Sequence, residues 1–432
     1  MKKTPQQDFI ETVNKEYLNC AACGECRMVC PVYAVSGLEK NVARGRLALA
    51  KAVADGDLEL TDNIAASFEN CLLCMACVRN CAGSVNMIEI VLKSRAYLAS
   101  KKGLSKTQKM TVKAFSADRK YQDMGIAAAR IAQSVFMSTL PETSGLRLKL
   151  PLPWFEELEK RILPALAKKP FMGKQDRTYK ADSQKQGVLL FVGCANNYIY
   201  TKTAKKTVQL LNALGVGVTV LSGQSCCGAP AQAHADIKTL KKLAENNVQC
   251  FSKILQEKII TICSSGGLML KKHYPGILEG TKAEGKSLYI SRRTMDISEY
   301  LADHLGIDEI KSKIKRKIPQ TLTYHDPCHL GRGQQVTTQP RMLLQAVCED
   351  YAEMPKAEGC CGLGGTYGIG HAETSEQILD KKIKTIAGMD KLPAKLATGC
   401  PACIMQLTHG LYNKESQIEV DHIVHYLWQA LV

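Results

Sequence analysis

The sequence predicts an α+β multidomain chain: a helical N-terminal domain built on two cysteine runs, then two tandem α/β domains with parallel sheets. Three observations predict it. Two groups of four cysteines with one spacing lie in the first 81 residues. Apolar residues at helical spacing fill the stretch between them. From residue 186 a pattern of apolar strand, cysteine and helix occurs twice at a nearly constant offset. The boundaries expected are 1–104, a helical basic linker over 105–185, and two repeats over 186–318 and 319–432.

The first run is Cys20-Ala21-Ala22-Cys23-Gly24-Glu25-Cys26-Arg27-Met28-Val29-Cys30-Pro31. Its C-x₂-C-x₂-C-x₃-C-P spacing is that of a bacterial-type iron–sulfur ligand run. Three thiolates so spaced can wrap one cluster, and the proline turns the chain away after the fourth. The second run, Cys71, Cys74, Cys77 and Cys81, keeps the spacing but is followed by Ala82 instead of proline. Helical periodicity over 41–53 and 61–70 separates the two, which points to an α-helical ferredoxin domain. In two-cluster ferredoxins the fourth cysteine of each run serves the other cluster. One [4Fe-4S] cluster is therefore expected on Cys20, Cys23, Cys26 and Cys81, and a second on Cys71, Cys74, Cys77 and Cys30. Arg44 and Arg46 lie close enough in sequence to offset the clusters' negative charge, or else form an exposed helix start.

Residues 84–102 read as a helix and 105–140 as apolar at helical spacing. Pro141, Pro151, Pro153, Pro164 and Pro170 then break the pattern. The stretch 146–155 is apolar with basic residues, suiting either a membrane interface or a packed linker.

Past residue 186 the chain doubles. The strand ending at Cys194 matches the strand ending at Cys328, and Cys226-Cys227-Gly228 matches Cys360-Cys361-Gly362. The offset is 134 residues at each pair, and 137 between Cys263 and Cys400. Short strands alternating with helices imply parallel sheets, whose carboxyl ends are the usual place for a ligand. The second half has five thiols, Cys328, Cys360, Cys361, Cys400 and Cys403. The first has four, Cys194, Cys226, Cys227 and Cys263, with Gly266 where Cys403 would fall. Adjacent cysteines fit a simple cubane badly and suit a site where one sulfur bridges irons. Four thiolates suffice for a further cluster or a zinc ion, or that half has lost its cofactor. Cys250 and Cys348 read as buried residues of helices.

Composition narrows the function. Nineteen cysteines in close groups favour metal over disulfides and require a reducing compartment. Lys and Arg number 57 against 41 Asp and Glu, a formal charge of +16, which suits an acidic partner face. Aromatics are only 6% and no nucleic-acid motif is present, so no nucleic acid is expected as a partner. No apolar stretch reads as a secretion signal or a membrane span. The expected location is cytoplasmic, with peripheral contact at the cytoplasmic membrane face as an option.

Two ferredoxin runs followed by duplicated Cys-Cys-Gly domains resemble the iron–sulfur subunit of glycolate oxidase, as does Ala43-Arg44-Gly45-Arg46 with its following helix. The chain is also similar to the iron–sulfur subunits of D-lactate dehydrogenases, of anaerobic glycerol-3-phosphate dehydrogenase and of heterodisulfide reductase. The resemblance implies an electron-transfer subunit of a 2-hydroxy-acid dehydrogenase. Its donor would be a partner subunit carrying FAD, and its acceptor a quinone or another carrier. No glycine fingerprint for a flavin or nicotinamide stands out, so the hydride chemistry falls to that partner. In heterodisulfide reductase the five-cysteine set holds a noncubane [4Fe-4S] cluster that cleaves a disulfide. The alternative is thus a thiol–disulfide reductase centred on Cys328, Cys360, Cys361, Cys400 and Cys403, with His325, Asp326 and His329 as proton carriers. Gly266 counts against a second such centre. A structural zinc protein is the third reading, and the ferredoxin runs argue against it.

Overall fold

The computed structural model describes residues 3–114, 119–140, 145–148, 161–182, 185–254 and 258–432. The chain divides into two compact units. One comprises Met1–Phe115, Pro230–Leu240 and Cys360–Lys381; the other comprises Ser116–Ala229, Lys241–Gly359 and Lys382–Val432.

The first unit is helical. Its principal helices are Pro5–Tyr17, Ala43–Asp55, Asp62–Glu69 and Met87–Lys102. Their starts are written locally. Thr4 and Gln7 form a reciprocal capping box ahead of Pro5, and Thr61 and Asn86 accept from backbone N–H groups of the turns they open. The helices bury Phe9, Val13, Leu47, Phe68, Ile90 and Val91 together, with Phe9 stacked on Tyr97 at 5.3 Å. The cysteine runs fill the turns between helices, and Cys20, Cys26, Cys71, Cys77 and Cys81 pack against this core. Two distant segments complete the unit. Tyr367 donates its hydroxyl to Asn70 Oδ1 at 2.7 Å, and Arg95 donates to Ala233 O at 2.9 Å.

The second unit holds the parallel sheets. One has the strand order Arg177–Tyr179, Val216–Val220, Lys185–Phe191, Lys258–Thr261, Thr294–Asp296. All its pairings are parallel except the antiparallel edge strand Arg177–Tyr179. The other is parallel throughout, in the order Glu419–His422, Lys395–Thr398, Leu322–His325. Central strands covered on both faces read as unbroken apolar runs; Val188, Leu189, Leu190 and Phe191 are accordingly all at most 1% exposed. Residues of both repeats, from Val188 to Leu431, share one apolar core.

The stretch 105–185, expected to be a helical linker, is helical over Lys106–Ala114 and Arg119–Phe136. It then turns to short strands, Met137–Thr139, Gly145–Leu148, Leu163–Pro164 and Arg177–Tyr179. The helix stops at Phe136, and strand pairing satisfies the backbone beyond it. Residues 149–155 of the amphipathic stretch lie outside the described residues. Cys250 is buried in the helix Ile237–Phe251, whereas Cys348 follows the helix Thr338–Val347 and bridges to Ile318. Among the described residues no helix is long and apolar enough to cross a membrane.

Candidate iron–sulfur centres

The two N-terminal runs fold alike. Ala22 and Gly24 adopt φ of 51° and 86°; Leu73 and Met75, at the same places in the second run, adopt 54° and 62°. Positive φ at three non-glycine residues costs about 1 kcal/mol or more each and persists where surroundings over-determine it. Here it curls each loop about its own thiols.

Cys20, Cys23, Cys26 and Cys81 line a cavity of about 110 Å³, with Cys77, Arg44 and Leu47 also in its wall. Cys30 lies on the other side of the pair, within electrostatic reach of Cys71 and Cys74, and Cys77 feels Cys71, Cys74 and Cys30. Burial, then mutual repulsion among these sulfurs, pushes Cys77 well above the ordinary thiol range; burial also raises Cys26 and Cys30. Thiols so crowded and desolvated are poor isolated anions but good ligands, because a cationic iron core offsets their charge. The donor set fits iron–sulfur clusters.

Two guanidinium groups are buried beside the second run. Arg46, 2% exposed, donates from Nε to Ser67 O at 2.7 Å and from Nη2 to Asn70 O. Arg95, 8% exposed, donates to Phe68 O, Glu69 O, Cys71 O and Ala233 O at 2.8–3.1 Å. Both bind carbonyl groups, and neither forms an ion pair within 4 Å among the described residues. Their charge is therefore left to act on Cys71, Cys77 and Cys30. Arg44 differs: it pairs with Glu39 at 2.5 Å near the surface. Of the two arginines singled out by sequence, only Arg46 is thus an uncompensated neighbour. Arg95 was missed, since nothing local marks a helical arginine as buried.

In the second unit the candidate ligand cysteines lie beyond the ends of strands. Cys194 lies in Gly193–Tyr198, Cys263 caps Ser264–Leu268, Cys328 opens Cys328–Gln334, and Cys400 caps Pro401–Tyr412, which contains Cys403. The Cys-Cys-Gly turns share one geometry. Gly228 N donates to Cys226 Sγ at 3.5 Å and Gly362 N to Cys360 Sγ at 3.4 Å, with φ of 90° and 92° at the glycines. A side chain at Gly362 would place its Cβ 2.6 Å from Ser375 O, so glycine is required there. Cys360 and Cys361 open the last segment of the first unit.

The first set clusters. Cys226 hydrogen-bonds with Cys194 and Cys227, which lowers the Cys194 thiol and raises Cys226. Cys263 hydrogen-bonds with Cys400, which in turn bonds Cys403, so Cys400 is held well below the ordinary range and Cys263 above it. Thiols of the two repeats therefore meet, a contact that sequence offsets do not reveal. Ser264 reinforces it by donating its hydroxyl to Gly399 O at 2.8 Å.

Gly266 is a tight position for any side chain. A Cβ there would lie 3.0 Å from Cε1 of Phe191, whose ring packs edge-on against Phe251 at 5.9 Å. The aromatic ring crowds the place where the Cβ of a fifth ligand would sit. Gly266→Cys is expected to destabilise the chain by about 1–3 kcal/mol through overpacking and to leave its iron content unchanged. A denaturant melt and an iron assay check this, and a gain of iron would contradict it.

The groups expected to carry protons are engaged otherwise. Burial pushes His325 down to about 3, so its imidazole stays neutral. Asp326 is held in a bidentate pair with Arg341 at 2.7 and 3.0 Å. His329 bonds Ser265 Oγ at 2.8 Å through Nδ1.

Comparison with known proteins identifies the class. The 4Fe-4S dicluster domain matches residues 16–85, and the cysteine-rich domain matches twice, at 188–271 and 322–408. The chain is an iron–sulfur protein joining one dicluster domain to two cysteine-rich repeats. Among individual proteins it is similar to the Bacillus subtilis protein named "Probable glycolate oxidase iron-sulfur subunit", 28% identical over 99% of this chain and 97% of that one. It is also similar to lactate utilization protein A 2 of Bacillus cereus, 29% identical over 56% of this chain and 98% of the relative. An uncharacterized iron–sulfur protein of Methanococcus maripaludis is 31% identical over 59% of this chain and 48% of its own length.

Proposed function

We propose that the chain is the electron-transfer iron–sulfur subunit of a 2-hydroxy-acid dehydrogenase complex acting on glycolate or D-lactate. The observation that carries this is the pair of crowded four-thiol groups in a chain similar along its full length to a glycolate oxidase iron–sulfur subunit. Cys20, Cys23, Cys26 and Cys81 hold one [4Fe-4S] cluster; Cys71, Cys74, Cys77 and Cys30 hold the other. Such clusters, once bound, supply one-electron transfer without bond-making to substrate. The protein's share is to fix the thiols, exclude water and set the local charge through Arg46 and Arg95.

Cys328, Cys360, Cys361, Cys400 and Cys403 form the noncubane site, and Cys194, Cys226, Cys227 and Cys263 a further four-thiol site. The domain limits are 1–104, 105–185, 186–318 and 319–432. The donor is an FAD-bearing partner subunit, the acceptor a quinone or another carrier, and the setting cytoplasmic with peripheral membrane contact. Disulfide reduction is disfavoured because Phe191 crowds the Gly266 position of the first set, and His325, Asp326 and His329 beside the second are engaged otherwise.

The test is anaerobic. The complex is purified with its partner, and glycolate or D-lactate is added while paramagnetic resonance is recorded. Reduced-cluster signals that follow the hydroxy acid are expected. Reduction by a dithiol, with none by either acid, would reverse the assignment.

A further inference from the structure

The first unit contains a second cavity, larger than the thiol-lined one, at about 350 Å³. Its size falls within the range of small-ligand sites. One wall is Cys71 itself, together with Leu72 and Leu73. Other parts of the wall come from the C-terminal part of the helix Met87–Lys102 and from Thr366, Tyr367, Ile369 and His371. A molecule seated there touches a candidate cluster ligand directly.

The wall chemistry selects the ligand. The cation Arg95 spends its donors on four carbonyl oxygens. Glu69 is also in the wall, accepting from Gln108 Nε2 at 3.4 Å. Burial, then Arg95, keeps His234 below the ordinary imidazole range and therefore neutral. With a carboxylate in the wall and the guanidinium committed to carbonyls, an anionic ligand such as a 2-hydroxy acid or a nucleotide is disfavoured. A neutral planar ring is favoured. Leu98, Leu104 and Ile369 give apolar surface, and Tyr367 stacked on His371 at 4.7 Å gives a flat one. Ser105 accepts at Oγ from Gln108 N, and its hydroxyl hydrogen, like that of Thr366, has no acceptor among the described residues. Both hydroxyls can donate to ring carbonyls.

We propose that this cavity binds the ring of a quinone, beside Cys71. The proposal rests on the electron-carrier reading and places its acceptor. Reduction there converts quinone to quinol with two electrons and one proton to each ring oxygen, the protons coming from water at the cavity mouth. The 2-hydroxy acid supplies the electrons as it is oxidised to the 2-keto acid on the flavin partner, releasing two protons.

The full chain, reconstituted with iron, is titrated with menadione and with a fluorescent hydroxyquinoline N-oxide. Binding is read on the oxidised chain by fluorescence quenching, with menadione competing against the N-oxide, and for the N-oxide also by a change in line shape of the reduced clusters. Ala99→Phe fills the cavity from its helix, and Ile369→Glu puts a charge at its exposed rim. Saturable binding by the unmodified chain, weakened at least about tenfold in both variants with iron content and melting unchanged, is the expected result. No saturable binding, equal binding by the variants, or competition by glycolate would overturn it. Because binding is measured without flavoprotein or turnover, its failure leaves the subunit assignment standing, and quinone binding without hydroxy-acid turnover by the complex would reject that assignment alone.

Discussion

Arg95→Met is expected to destabilise the first unit by about 3–5 kcal/mol. The side chain is buried and donates to the carbonyls of Phe68, Glu69, Cys71 and Ala233. Its removal leaves those four oxygens without their guanidinium donor, at a position where the side chain itself is only 8% exposed. It also deletes a positive charge beside Cys71. A centre that gains an electron becomes harder to reduce when a nearby cation is lost, so the potential of the Cys71 cluster falls, by on the order of tens of millivolts. Arg95→Lys separates the two effects. One ammonium cannot span four carbonyl oxygens, so stability stays low, while the retained charge restores most of the potential. Denaturant melts and potentiometric titration followed by paramagnetic resonance measure both quantities. An unchanged potential in Arg95→Met would remove the electrostatic role and leave a purely structural one.

Cys30→Ser is expected to cost the chain the cluster of the second run while sparing that of its own run. Cys30 is buried, accepts at Sγ from Tyr33 N at 3.4 Å, and lies in the field of Cys71 and Cys74. Cys81, from the second run, lines the cavity of Cys20, Cys23 and Cys26. Iron should fall by about four atoms per chain, and the surviving signal should be one that Cys23→Ser abolishes and Cys74→Ser does not. Loss of the signal that depends on Cys23 would mean that each run serves its own cluster.

Much of this was legible in the sequence, and what escaped has physical reasons. Cysteine spacing is read along the chain, and so are helix starts such as Thr4 with Gln7, so the helical first domain was clear. The repeats declared their parallel sheets through apolar runs and a constant offset. What sequence could not supply was which distant residues the fold returns to one place. Arg95 looks like any helical arginine until the carbonyls of 68–71 close around it. Tyr367 is 297 residues from Asn70, its hydrogen-bond partner. Cys263 and Cys400 belong to different repeats, and their contact depends on how the sheets pack. Gly266 reads as a missing ligand, yet only the ring of Phe191 shows that its space is crowded. The short strands within 137–179 lack the length and alternation that mark a strand, and pairing with neighbours alone defines them.

The central claim is that thiolate-held iron in the first unit carries single electrons. Its most direct test is metal analysis of the anaerobically prepared chain combined with paramagnetic resonance under strong reductant. The account predicts iron and sulfide in near-equal amounts, at least about eight irons per chain, and the broadened spectrum of two neighbouring reduced clusters. Zinc in place of iron, or an iron-loaded chain that stays silent under reductant, would contradict it.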